Sequence, residues 1–148
     1  MKTRMKNWMI ALACMFTIST AAFADNDKPI AVNQLPAAAQ QTIKKHFSTL
    51  KVAMAKVESG LLDKTYDVIF TNGEKIEFNR SGEWTEISCK TTTVPAALIP
   101  SAVAAYINEN YPNTKVLSIE RDREYEVQLN NRIELTFNKN FQLIDIDM

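Results

Sequence analysis

Glycine, histidine and cysteine are scarce in this 148-residue sequence, and each scarcity removes a class of function. The only glycines are Gly60, Gly73 and Gly82. No two of them are spaced for GxGxxG, GxxxxGK[ST] or the G-x-S-x-G nucleophile elbow, so dinucleotide, P-loop and α/β-hydrolase chemistry are excluded. A single histidine, His46, rules out HExxH and any multi-histidine metal centre. Two cysteines, Cys14 and Cys89, are too few for a disulfide framework. Excess charge is also missing, with 17 Lys+Arg against 17 Asp+Glu, which gives no electrostatic reason to bind nucleic acid or anionic lipid. The longest apolar stretch, Trp8 to Ile18, falls short of the roughly 18 residues that span a bilayer.

What is present starts with an export leader. Lys2, Arg4 and Lys6 supply a basic start, Trp8 to Ile18 an apolar core, and Ala22-Phe23-Ala24 a small-x-small cleavage site. Residues 1–24 are therefore expected to be a signal peptide, leaving 25–148 in the periplasm with no membrane insertion. Cys14 lies mid-way along the apolar run, too early for lipidation, and cleavage removes it. Losing three of the 17 basic residues leaves a net charge of −3. The remaining thiol, Cys89, is either buried as a small apolar residue or free and reactive.

Residues 25–148 suffice for one domain, and they carry an internal repeat. Tyr66 to Ile87 aligns without gaps on Tyr125 to Ile146 at an offset of 59, with Tyr66/Tyr125, Val68/Val127, Phe78/Phe137, Asn79/Asn138 and Ile87/Ile146 identical. Upstream, Leu35-Pro36 matches Ile99-Pro100 at an offset of 64, followed by Ile43/Ile107 and Phe47/Tyr111. The first copy therefore holds five extra residues, centred on Glu58 to Leu61. Each copy, about 35–89 and 94–147, opens with a helix whose first turn suits Pro36 or Pro100. Ala39, Ile43 and Phe47 recur along one helical face, and Val103, Ile107 and Tyr111 repeat the stripe.

Period-two alternation then predicts strands. Tyr66-Val68-Phe70, Tyr125-Val127-Leu129 and Leu135-Phe137 point to a core, and the residues between them point away. Asn72-Gly73 marks a hairpin and Ser81-Gly82 the next turn. Asn131-Arg132 and Asn140-Phe141 stand in their places, so those turns are expected to differ. The expected fold is α+β: two helix-plus-four-strand antiparallel units sharing one sheet, with both helices packed on one face.

The Leu-Pro or Ile-Pro helix start, the Lys-Val strand, Tyr-x-Val, the Asn-Gly hairpin and Phe-Asn-Arg-Ser-Gly-Glu-Trp at 78–84 resemble the PepSY-like family of exported bacterial proteins. The resemblance spans about residues 35–147. It implies a fold similar to beta-lactamase inhibitor protein, a tandem repeat whose sheet offers a concave surface. None of these motifs contains a catalytic constellation, and no cofactor or catalytic residue is expected. The function expected is a non-enzymatic periplasmic module that binds or inhibits a protein, peptide or envelope component through its open sheet face. The alternative is a structural or stress-related envelope protein without a discrete ligand.

Several side chains have chemistry to weigh. His46 reads as a solvated histidine at a helix C-terminus. Asp145 and Asp147 read as a solvated strand end, too few for a calcium cage. Glu74, Glu77, Glu83 and Glu86 read as exposed carboxylates with no apolar pocket to raise a pKa. If helices cover one face, the other carries Asp67, Ile69, Lys75, Glu77, Glu126, Gln128 and Glu134, and these are the expected partner-binding residues. Trp84 is placed with them at the margin, outward like Glu86, if Thr85 and Ile87 face inward. Its other reading is that the turn at Gly82 folds it over the core edge. Glu77 and Thr136 are expected to face solvent.

Overall fold

Both helices start where an apolar residue meets a proline. The computed structural model describes residues 27–148; the leader and its cleavage site, 1–24, lie outside the described residues. Helix α1 runs Ala37–His46 and α2 Ser101–Asn110, with Pro36 and Pro100 as the extended residues just before the first turn, one position earlier than expected. Short 3-10 turns, Val32–Gln34 and Ala96–Leu98, lead into them. Ala39 and Ile43 on α1, and Val103 and Ile107 on α2, are buried in one shared core.

The strands are β1 Asp27–Ile30, β2 Val52–Ser59, β3 Lys64–Phe70, β4 Lys75–Phe78, β5 Trp84–Ser88, β6 Val116–Arg121, β7 Tyr125–Leu129, β8 Glu134–Phe137 and β9 Leu143–Asp147. They form one nine-stranded sheet in chain order, every neighbouring pair antiparallel. After β1 the order is helix and four strands, then helix and four strands. The sequence pattern did not reveal β1, which has no apolar alternation. It pairs with β2 over Ala55 to Glu58. The β2–β3 ladder runs on through the rungs Glu58↔Thr65 and Ser59↔Lys64, whereas the β6–β7 ladder ends at Arg121↔Tyr125, so the first hairpin is the longer.

Both helices lie against the same face of the sheet. The Phe47 ring stacks on Phe70 with centroids 5.6 Å apart, and Tyr106 on α2 meets Phe137 edge-on at 5.5 Å. A Cβ at Gly82 would stand 2.7 Å from the Pro36 Cβ and 2.9 Å from the Ala39 nitrogen, so glycine lets the start of α1 rest on that turn.

Four bulges decide which residues face the core. Ala53, Thr85, Leu117 and Ile144 are each skipped in the pairing. An extra residue in one strand flips the parity beyond it. Because Thr85 is skipped, Glu86 pairs with Glu77 while Trp84 pairs with Phe78, putting Trp84 on the core face. Its side chain is 7% exposed. The outward placement of Trp84 is thereby corrected. The alternation holds from Ile87 back to Glu86 and breaks at the bulge.

The turns also correct an expectation. Gly73 and Arg132 have φ of 85° and 71°, and Gly82 and Phe141 have 84° and 59°, so corresponding turns share the left-handed backbone. Side-chain hydrogen bonds make this possible without glycine. The Glu74 and Ile133 amides donate to the Oδ1 of Asn72 and Asn131, and the Ser81 and Asn140 amides donate to the Oδ1 of Asn79 and Asn138.

Candidate functional site: the outer sheet face

Alternation along eight strands places a polar surface on the side of the sheet away from the helices. Following the pairing from β2 to β9, one row reads Lys56, Asp67, Glu77, Glu86, Glu120, Glu126, Thr136, Asp145. The next reads Met54, Ile69, Lys75, Ser88, Ser118, Gln128, Glu134, Asp147. Seven of the expected residues, Asp67, Ile69, Lys75, Glu77, Glu126, Gln128 and Glu134, thus share this face. Trp84 does not; the Arg121 guanidinium lies 4.0 Å over its ring, and Arg121 Nε donates to its carbonyl at 2.6 Å on the other side.

The first row holds five carboxylates on consecutive strands, at the roughly 4.8 Å spacing of neighbouring strands. Their charge is answered unevenly. Lys56 pairs with Asp27 and lies 3.3 Å from Asp67, and Lys75 lies 3.5 Å from Asp67 and 3.8 Å from Glu77. Beyond them, Glu86 and Glu120 stand directly opposite each other. Burial pushes the Glu86 carboxyl above its ordinary value; Lys75 opposes the shift, and Glu77 and Asp67 add to it. Burial also raises Glu120, with Glu126 and Glu86 adding to it.

A carboxyl whose pKa is raised on folding favours the native state while protonated. That contribution is complete below the ordinary value and is lost as pH rises through the raised one. Glu86→Gln combined with Glu120→Gln should therefore raise the thermal midpoint near neutral pH, by the equivalent of about 0.2–1 kcal/mol for a relieved like-charge pair. Melting curves taken well below the ordinary carboxyl value should show no gain.

Sequence reasoning missed Glu120, Ser118, Ser88 and Lys56 as members of this surface. The bulge at Leu117 breaks the alternation that would have shown which face Ser118 and Glu120 occupy. Thr136 does point to the outer side, opposite Glu126 and Asp145, but it is buried rather than solvated as expected.

The remaining candidates lie elsewhere. Glu74 is 1% exposed, not one of a set of solvated carboxylates. Its Oε1 accepts from the Thr92 amide and hydroxyl, both at 2.7 Å, and from the Thr91 hydroxyl at 3.3 Å, so it ties down the segment joining β5 to the second helix. Burial pushes its carboxyl up, but these bonds outweigh burial and hold it below the usual value. Cys89 is the buried alternative of the two left open: burial first, and the nearby Glu74 charge second, push its thiol up to about 11. Thiolate is scarce there at neutral pH. His46 ends α1, half-buried. Among the described residues, no three His, Cys, Asp or Glu side chains gather closely enough to hold a metal ion.

The model of a family described as beta-lactamase-inhibitor-like, PepSY-like matches residues 64–145, which carry most of the outer face. The chain belongs to the PepSY-like family. Solved structures agree. The PepSY-like chain is 55% identical to a DUF2874-family protein from Bacteroides vulgatus ATCC 8482, described as periplasmic, with a TM-score of 0.83 over 85% of this chain and 100% of that one. It is 58% identical, with a TM-score of 0.82 and the same coverage, to a Bacteroides thetaiotaomicron protein described as calcium-regulated and periplasmic. A second Bacteroides vulgatus protein, described as periplasmic and of unknown function, is 41% identical, with a TM-score of 0.77 over 82% of this chain and 99% of that one. No curated protein matches the chain. All three of these relatives are described as periplasmic.

Proposed function

We propose that this PepSY-like chain is an exported, non-catalytic periplasmic binding module whose outer sheet face receives a cationic segment of a protein or peptide partner. The observation that carries this reading is the row Asp67, Glu77, Glu86, Glu120 and Glu126 on consecutive strands. Like charges directly opposite one another weaken a sheet, and a solvated face needs only polar residues of any kind. Glu86 and Glu120, half-buried and directly opposite each other, cost stability, and that cost is best explained by what they bind. A structural envelope protein without a ligand would leave it unexplained. Should the partner be an enzyme, occupancy of this face would inhibit it by cover.

In this reading the face is broad because 25–148 is a single domain of two copies of one unit, about 35–89 and 94–147. Supporting this, bulges Ala53 and Leu117 are separated by the same 64 residues as the helices, and bulges Thr85 and Ile144 by the same 59 as the later strands. The periplasmic description of three relatives supports export and cleavage after Ala24, which N-terminal sequencing of the exported form checks.

The charge-reversed variant Glu86→Lys with Glu120→Lys tests the function. Immobilised wild-type protein should retain a partner from periplasmic extract that high salt releases. The variant should retain none of it while melting no lower than wild type. Retention unchanged by the reversal would overturn the reading.

A further inference from the structure

The two edges of the sheet are not alike. β1, at one edge, is four residues long and contains Pro29, which has no N–H to offer an incoming strand. β9, at the other edge, has no proline or lysine. The Ile146 N–H donates to its neighbour's side chain, Asp145 Oδ1, at 3.1 Å and not into the ladder with β8. Exposed apolar side chains lie at this end of the sheet and in the β2–β3 hairpin, where Leu61 and Leu62 stand free of the core. Of the eight large apolar side chains exposed among the described residues, Phe141, Ile144, Ile146 and Met148 make up half, at 36%, 50%, 41% and 92%.

We propose that β9 is a docking strand, extending the sheet by one antiparallel or parallel partner strand whose side chains alternate between apolar and basic. This goes beyond the face-binding reading, because it concerns the backbone edge. Ile146 is paired with Leu135 and stands on the core face, whereas Asp145 and Asp147 stand on the outer face beside Thr136 and Glu134. A strand added to β9 would continue both surfaces, placing an apolar residue beside Ile146 and basic residues beside Asp145 and Asp147. Such a basic side chain would also draw the Asp145 carboxylate away from the Ile146 amide and release that donor to the partner.

A second copy of the chain fits poorly. Pairing β9 with β9 sets Asp beside Asp at about 4.5–5.5 Å, a repulsive cross-strand contact. The edge strand β1 places Lys28 and Ile30 on the same face, opposite Val57 and Ala55, so its alternation is wrong.

The experiment is an amide-resolved NMR titration of the isotopically labelled protein with a capped six-residue peptide of alternating Val and Lys. Its controls are the Val/Glu alternating peptide and a block-ordered Val/Lys peptide. The alternating Val/Lys peptide should shift the amides of Ile144 to Asp147, with both controls about tenfold weaker or more. Ile146→Pro, which removes the outward N–H, should abolish the shifts while keeping the thermal midpoint. Asp145→Lys with Asp147→Lys keeps the proposal testable if the proline variant unfolds, and should transfer the preference to the Val/Glu peptide. Equal binding of block and alternating peptides, shifts confined to Glu86, Glu120 and their neighbours, or self-association through β9 would each overturn the docking strand. Shifts at Ile144 to Asp147 with none at Glu86, Glu120 and their neighbours would uphold the docking strand and count against the face-binding reading.

Discussion

Phe78→Ala and Phe137→Ala should each destabilise the protein by about 3–5 kcal/mol, the range for truncating a buried phenylalanine. Both rings are fully buried, and each sits in a rung of the core face, Phe78 between Tyr66 and Trp84 and Phe137 between Tyr125 and Leu143. Phe137 also meets Tyr106 of α2, so its loss opens a void beneath a helix. Glu77→Ala, one residue from Phe78 but on the outer face, should cost much less. Denaturant unfolding of the three variants checks the contrast. Equal losses at positions 77 and 78 would refute the face assignment.

Ending the chain after Lys90 should abolish cooperative unfolding. The fragment would keep α1 and β1 to β5 but strip β5 of its partner, leaving Ile87 without Ile119 across the ladder. It would also lose Thr91 and Thr92, the donors to Glu74. Losing hydrogen bonds to a charged group costs about 1.5–3 kcal/mol, a large fraction of the stability of so short a chain. Calorimetry or circular dichroism of residues 25–90 should show no sharp transition. A fragment melting near the full-length midpoint would contradict the view that the two halves depend on each other.

Much of this architecture was legible because apolar spacing and turn residues agree along the chain. Ile43 and Phe47 announced α1, and Tyr66-Val68-Phe70 announced both a strand and its buried face. The same alternation assigned Asp67, Glu77, Glu126, Gln128 and Glu134 to the outer side correctly. Its failures share one cause, since period-two reasoning cannot see an inserted residue. The bulge at Thr85 turned Trp84 inward, and the bulge at Leu117 hid Ser118 and Glu120. Glu74 was misread for a different reason. Its burial depends on Thr91 and Thr92, which reach it from the far end of the β4–β5 hairpin, and no local pattern encodes that contact. Arg132 and Phe141 adopt backbone that glycine usually occupies because asparagine side chains at 131 and 138 hold those turns.

The most direct test of the outer face as the functional surface is site-specific photocrosslinking in living cells. A photoreactive side chain is placed at Ser118, beside Glu120 on that face, or at exposed Lys44 on α1. A discrete adduct from position 118, absent from position 44 and lost in the Glu86→Lys, Glu120→Lys background, is the predicted result. Adducts of the same size from both positions, or an adduct at 118 indifferent to the charge reversal, would contradict it.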